Sequence, residues 1–228
     1  MEKIEGLLSI VATPIGNLED ITLRALRVLG EADYVLCEDT RVTGKLLHHH
    51  GIKAKMKRYD AHASEKTHQE VLSDLESGTK VSLVSDAGTP GISDPGVLLV
   101  TQARRRGIKI ETIPGASAVA AAFSIAGIAG NQFSFLGFVP QKKGRETFFK
   151  SLADYEAPVI FFESVHRIEK TLDALVKFLP EGAKVTVARE LTKLHEEIVQ
   201  GEATEVEAYF RENQDHVRGE FVVLVSFG

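Results

Sequence analysis

The chain has 228 residues, 43% of them hydrophobic and 26% charged, with a formal net charge of −5; that is enough to bury the core of one large domain or two small ones. No apolar run approaches the roughly 20 residues that span a bilayer, and the amino terminus lacks a secretory n-region and cleavage site, so a soluble cytoplasmic protein is expected. The single cysteine, Cys37, cannot form an intrachain disulfide or build a thiolate zinc site alone, which leaves a buried reduced thiol as its expected state.

Leu7–Ala12 reads as a strand, and Thr13-Pro14-Ile15-Gly16-Asn17 is its glycine-bearing exit. Asp20 or Thr22 then caps a helix with Ile21, Leu23, Ala25, Leu26, Val28 and Leu29 on its apolar face. A second strand, Tyr34–Cys37, ends in Glu38-Asp39-Thr40-Arg41 and leads into a helix that runs to Gly51. His48, His49 and His50 lie in that helix, where consecutive residues point in different directions and make a poor metal site. Lys55–Arg58 is an edge-like third strand, and Ser64–Ser77 is an amphipathic helix stopped by Gly78.

Val81–Val84 is a short β-branched run that breaks into Ser85-Asp86-Ala87-Gly88-Thr89-Pro90-Gly91-Ile92-Ser93-Asp94-Pro95-Gly96. Asp94 as N-cap and Pro95 at the first helical position open a helix with Val97, Leu98, Val100 and Ala103 as its apolar pattern, ending at Gly107. The glycines let the backbone come close to a ligand, but the spacing is neither the dinucleotide fingerprint nor the P-loop, and no Gly-Lys-Ser/Thr follows. A triphosphate is therefore not the natural guest. Asp86 fits either a ligand acceptor or an Asx-turn closing its own loop. Lys109–Ile113 is a fifth strand, exiting through Pro114-Gly115-Ala116-Ser117 into the small-residue helix Ala118–Ala126. Strands alternating with helices predict right-handed crossovers and a largely parallel sheet.

After Gly127–Asn131 the rhythm changes. Strands are expected at Phe133–Phe138, Val159–Phe162, Lys184–Ala188, Glu197–Gly201 and Glu220–Phe227, with helices from Arg145 to about Tyr155, at Ile168–Leu179 and at Thr204–Asn213. Hairpin-like adjacency of the late strands predicts a mixed sheet, and the chain is divided near Ser117 into residues 1–117 and 118–228.

Net acidity argues weakly against nucleic acid, yet Arg41 to Arg58 contains no acid while Arg41, Lys45, Lys53, Lys55, Lys57 and Arg58 are all basic. Arg104-Arg105-Arg106 fits complementarity to a helix C-terminus, and Lys142, Lys143 and Arg145 form a third basic group.

Taken together, V-A-T-P-I-G-N-L-E-D-I-T, E-D-T-R, S-D-A-G-T-P-G-I-S-D-P-G, I-P-G-A-S-A, F-F-E-S-V-H-R-I and A-R-E-L-T-K resemble the tetrapyrrole-methylase-like, class III S-adenosylmethionine-dependent methyltransferases. Within that family they are most similar to the branch that methylates the 2′-oxygen of a decoding-centre cytidine in small-subunit (16S) ribosomal RNA. The pattern departs at Val165 and His195, where Pro and an aromatic are common. The resemblance implies two α/β domains, a mostly parallel five-stranded sheet followed by a mixed one, with the cofactor S-adenosylmethionine in a cleft between them, and a homodimer; no metal is expected, because no His, Cys or carboxylate cluster has ligand spacing.

It also implies cofactor contacts at Pro14, Ile15, Asp86, Ala87, Gly88, Thr89, Ile92, Ser117 and Ala118, and from the second domain at Phe162, Ala188, Arg189 and Gly219. Methyl transfer to a ribose hydroxyl needs an oriented acceptor and a proton acceptor. Arg41, Glu163, Glu190 and Lys193 are the candidate catalytic groups, with Asp39 a further possible base and Arg167 and Arg189 further cations. Glu163–Arg167 and Glu190–Lys193 fit structural ion pairs equally well. Competing readings are a methylase of a tetrapyrrole precursor or a protein side chain, and a non-catalytic nucleotide-binding module; the basic run favours RNA over the tetrapyrrole.

Overall fold

A computed structural model describes residues 5–60, 63–92 and 96–227. The chain splits into two compact units, Met1–Ser117 and Ala118–Gly228.

The first unit holds a five-stranded sheet in the order β3-β2-β4-β1-β5, with β1 Leu7–Val11, β2 Tyr34–Cys37, β3 Met56–Arg58, β4 Lys80–Leu83 and β5 Lys109–Ile113. Every pairing in it is parallel. Side chains alternate between faces. Val11, Val35 and Cys37 meet Ala25, Val28 and Leu29 of α1 (Leu23–Glu31) and Leu47 of α2 (Thr40–His49). Leu8, Tyr34, Leu36, Val81 and Leu83 meet Val71, Leu72 and Leu75 of α3 (Glu65–Glu76) and Leu99 and Ala103 of α4 (Val97–Arg105). So α1 and α2 cover one face and α3 and α4 the other.

Local chemistry fixes the helix starts. The Thr22 hydroxyl accepts from Ala25 N at 3.1 Å, Asp39 from Arg41 N at 2.8 Å, and the Ser64 hydroxyl from Thr67 N at 3.1 Å. The expected caps Asp94 and Pro95 lie outside the described residues; α4 begins at Val97, with Gly96 at φ +125° before it. That start leaves Val97 and Leu98 exposed, because the buried face of α4 is the Leu99–Ala103 pair four residues apart. Leu23, expected on the apolar face of α1, is likewise exposed, at the helix's first position. Cys37 is a buried free thiol.

The second unit opens with α5 (Ala118–Ile125) and holds the sheet β6-β7-β10-β8-β9. Its strands are β6 Ser134–Phe138, β7 Val159–Ser164, β8 Lys184–Arg189, β9 Glu197–Glu202 and β10 Glu220–Ser226. Only β6 and β7 run parallel; the other pairings are antiparallel, so the sheet is mixed. One face carries α6 (Arg145–Ser151), α7 (Ile168–Phe178) and α8 (Ala203–Glu212) on a core of Phe149, Phe161, Leu172, Leu175, Val187, Phe210 and Val223. α5 packs against β10, and Gln200 of β9 donates to Ala126 O at 2.8 Å, just past the end of α5. No described helix is long and apolar enough to cross a membrane.

Candidate functional site

In the first sheet the chain leaves β1 toward β2 on one side of β1 and leaves β4 toward β5 on the other. β1 and β4 are neighbours whose exits diverge to opposite faces, and such a switch point opens a crevice at the strands' carboxyl ends. The loops there are tied by backbone. Thr13 N donates to Gly88 O at 2.9 Å and Gly88 N to Thr13 O at 3.0 Å, a two-bond bridge between segments 75 residues apart. The Thr13 hydroxyl adds a bond to Ser85 O at 3.1 Å, and the Thr89 hydroxyl reaches Ala116 O in the β5 exit at 3.2 Å. The β2 exit joins through Asp39 N, which donates to Asp86 Oδ1 at 3.1 Å.

Two glycines make this approach possible. Gly88 sits at φ +81°, a conformation that costs an ordinary residue about 1–2 kcal/mol. A Cβ on Gly115 would lie 2.9 Å from the Ala12 Cβ, closer than packed carbons allow. The loop after β4 is closed by the Ser85 hydroxyl, which donates to Ala87 O at 3.1 Å, so Asp86 is not an Asx-turn and instead holds the neighbouring exit.

Pro14, Ile15 and Gly88 are buried, Thr89 and Ser117 half-buried, and Asp86, Ala87 and Ile92 exposed; the structure gathers Thr13 to Ile15, Ser85 to Thr89 and Ala116 around one set of strand ends. Ala118 opens α5 in the second unit. Backbone amides and carbonyls, hydroxyls and apolar side chains gather at these exits, and among the described residues no group of three or more His, Cys, Asp or Glu could hold a metal. Asp39 is held to about 2 by hydrogen bonds from the Arg41 side chain and backbone. Arg41 engages both Asp39 oxygens, Nε at 3.0 and 3.1 Å and Nη2 at 2.6 Å, and is otherwise exposed. Glu38, which the motif reading passed over, is pushed up by burial and by the nearby Asp86 charge.

In the second sheet Phe162 and Ala188 flank Val222 in one row across β7, β10 and β8. Phe162 lies edge-on between Phe135 and Phe138, while Ala188 is fully buried. Arg189, Glu190, Lys193 and Gly219 cluster at the same end. Glu190 stands at φ +50° and Thr192 at φ +66°, uncommon for residues with a side chain. The Glu190 carboxylate accepts from Lys193 Nζ at 2.7 Å and from Glu220 N at 3.0 Å, and Lys193 reaches Glu220 at 3.0 Å as well. Burial would raise Glu190, but those hydrogen bonds and the Lys193 and Arg189 charges outweigh it and bring its pKa down. Burial would lower Lys193, but Glu190 and Glu220 bring it up. Gly219, at φ +86°, leaves room for the Glu190 carboxyl group; a Cβ there would fall on it. The Arg189 guanidinium is committed within the unit, Nε to Arg218 O at 3.0 Å and Nη1 to Glu197 at 3.2 Å.

Glu163 is 2% exposed and saturated. Oε2 accepts from Arg145 Nη1 at 3.1 Å and the Thr171 hydroxyl at 2.7 Å; Oε1 accepts from Ser164 N at 2.7 Å and pairs with Arg167 Nη2 at 2.9 Å. Thr171 in turn accepts from Arg145 Nη2 at 2.6 Å. Arg145 and Thr171 were not legible as partners, since Thr171 reads as an ordinary helical position. In this arrangement Glu163 has no free lone pair aimed at a substrate and serves to position two arginines. It anchors the loop before α6, because Arg167 Nη1 also donates to Val139 O at 3.2 Å.

A parallel sheet with a backbone-tied crevice at its switch point, followed by a mixed-sheet unit with charged strand ends, defines a two-unit α/β protein of the open-sheet class. The chain belongs to the tetrapyrrole (corrin/porphyrin) methylases, whose family model matches residues 7–207. It is 44% identical over 97% of its length to the ribosomal RNA small subunit methyltransferase I of Halalkalibacterium halodurans, covering 76% of that protein. It is 42% identical over 97% of its length to the same-named protein of Thermotoga maritima, covering 98% of it. Among solved structures it resembles uroporphyrin-III C-methyl transferase from Thermus thermophilus complexed with S-adenyl homocysteine, with a TM-score of 0.65 at 20% identity and 97% of each chain covered.

Proposed function

We propose that this protein transfers a methyl group from S-adenosylmethionine to the ribose 2′-oxygen of a cytidine in the decoding centre of 16S ribosomal RNA, acting in the cytoplasm on the small ribosomal subunit as a homodimer. The observation that carries the reading is the near full-length identity to proteins named ribosomal RNA small subunit methyltransferase I. The glycine-lined, backbone-built strand exits of the first unit support the choice of cofactor. S-adenosylmethionine supplies an electrophilic methyl on a sulfonium and needs no phosphate cradle. The residues proposed to hold it are Pro14, Ile15, Asp86, Ala87, Gly88, Thr89, Ile92, Ser117 and Ala118, with Phe162, Ala188, Arg189 and Gly219 from the second unit.

Arg41 and Lys193 are cations suited to a ribose phosphate, Glu190 is the ionised carboxylate beside Lys193, and Glu163 positions Arg145 and Arg167. Bound S-adenosylmethionine would supply the methyl to the 2′-oxygen and keep the electron pair on its sulfur, and these residues would orient the ribose while the hydroxyl proton passed to a carboxylate or water. The test is incubation of undermethylated small subunits with cofactor labelled in the methyl group, followed by nucleoside analysis. Label on a 2′-O-methylcytidine is expected. Label on a base or on protein, labelling of an added tetrapyrrole instead, or no transfer at all would overturn the reading.

A further inference from the structure

The acid-free run from Arg41 to Arg58 does not fold into one uniform basic surface. Its outer cations have acidic partners of their own: Arg41 pairs with Asp39, Arg58 with Asp60 at 2.8 Å, and Lys57 with Asp74 at 3.1 Å, with its ammonium also 3.8 Å over the Tyr34 ring. Lys53 and Lys55 are exposed and have no acidic partner among the described residues. They stand on the wall of an open groove of about 450 Å³ between the second half of α2 and the segment entering β3, within the size range of small-ligand sites. Leu47, Ile52 and Met56 line it beside His48.

We infer that this groove docks single-stranded RNA, with Lys53 and Lys55 meeting successive phosphates and the Ile52 and Met56 side chains, on a floor closed by the buried Leu47, receiving an unpaired base. The inference rests on the reading of the protein as an RNA methyltransferase. Three features favour that occupant. The flanking acids are already paired with flanking cations, so the groove's own positive charge is uncompensated. Its lining is apolar while its wall is cationic, the combination that takes a base face and a backbone together. β3 is also the edge strand of the sheet, so the groove opens sideways to a partner rather than into the core. Stacking between neighbouring pairs buries the base faces of a duplex, which leaves a single strand as the natural guest. Lysines beside an edge strand also discourage strand-to-strand pairing between copies; that role predicts no change in RNA affinity when they are replaced by another polar residue.

The experiment measures fluorescence anisotropy of a labelled single-stranded oligoribonucleotide with full-length protein at several salt concentrations. It compares wild type, Lys53→Gln/Lys55→Gln, and a charge-matched control, Arg104→Gln/Arg105→Gln, on the last turn of α4. Each lost phosphate contact should flatten the log–log salt slope by about 0.7 for a single strand, so the groove variant should lose about 1.4 and bind roughly tenfold more weakly, with the control unchanged. Calorimetric affinity for S-adenosylmethionine should be the same in all three. Equal losses in both variants would reduce the effect to net charge, and an unmoved slope in the groove variant would place docking elsewhere; either overturns the inference while leaving the methyltransferase reading intact. Absence of RNA binding by the wild type overturns both.

Discussion

Replacing Glu163 with Gln tests whether that carboxylate carries a proton or holds the architecture. Each of its oxygens faces an arginine: Oε2 meets Arg145 at 3.1 Å and Oε1 pairs with Arg167 at 2.9 Å. Whichever way the new amide turns, its NH2 points at a guanidinium donor, and one buried cation loses its partner. Breaking a buried ion pair from one side costs about 3–5 kcal/mol. For a chain of 228 residues, each kcal/mol moves the melting temperature by about 2–4 °C, so a fall of roughly 6–20 °C is expected by calorimetry. Thr171→Val removes only the hydroxyl that bridges Arg145 and Glu163 and should cost about 1–3 kcal/mol, the cost of leaving a buried polar group unpaired. Single-turnover methylation at 20 °C, where the folded Gln variant persists, should stay within about threefold of wild type, below the 10²–10⁴ attributed to a positioned acid or base. A melting temperature within a few degrees of wild type together with a hundredfold loss of turnover would refute the reasoning and make Glu163 the proton acceptor.

Arg41→Ala, Glu190→Gln and Lys193→Ala should each cut single-turnover methylation on saturating subunits by at least about tenfold, roughly 1.4 kcal/mol in barrier, with smaller effects on calorimetric cofactor affinity. Gly219→Ala adds a Cβ where the Glu190 carboxyl lies and strains φ +86°; about 2 kcal/mol of stability should go, along with much of the turnover, as chemical denaturation and the same assay will read. Gly88→Ala should weaken cofactor binding about tenfold by calorimetry if its φ of +81° costs the bound conformation about 1–2 kcal/mol. The Glu190 pKa is lowered by folding, so the stability it contributes is complete above the unfolded carboxylate value of about 4.3 and is lost as pH falls through the lower folded value. Acid unfolding of Glu190→Gln should therefore be shallower than wild type below about pH 4, and identical acid limbs would count against the Lys193–Glu190 couple.

The elements of both sheets were legible because each strand is a short apolar run bounded by turn residues, and Tyr34–Cys37 and Lys109–Ile113 coincide with β2 and β5 as read. Thr22, one of two caps offered for the first helix, lies within four residues of its target and was legible for the same local reason, and Asp39 and Ser64 cap α2 and α3 by equally local bonds that were not read as caps. What lay beyond reach depends on distance along the chain. The Thr13–Gly88 bridge joins loops whose pairing follows from strand order, which alternation alone does not specify. Asp86 holds Asp39 of a neighbouring exit rather than its own loop. The partition of the basic run into paired outer cations and free inner ones depends on where Asp74 of α3 comes to rest against β3. The left-handed backbone at Glu190 and Thr192 carries no residue-type signal, since neither is glycine or asparagine.

On the proposed reading, in which the acceptor is a ribose hydroxyl, the electrostatics of the strand exits bear on how its proton would leave. Among carboxylates at those exits, Asp39 is held to about 2 by Arg41 and Glu190 is lowered by Lys193 and the Glu220 amide. Each is fully ionised at neutral pH, yet each is a weak base, because a partner already holds the lone pairs that would take a proton. Glu38 alone among them is moved the other way, by burial and the Asp86 charge. Strong deprotonation of a ribose hydroxyl is thus not what most of these groups are built for. A sulfonium is a strong electrophile and its displacement needs only a well-aimed acceptor with the proton leaving as the new bond forms, so orientation supplies a large share of the barrier reduction. The ion pairs that quench the bases also stiffen the ends of the strands. Arg41, held by both Asp39 oxygens through Nε and Nη2, and Lys193, held by Glu190 and Glu220, are the cations proposed to place a phosphodiester, each oriented by its carboxylate partners before substrate arrives.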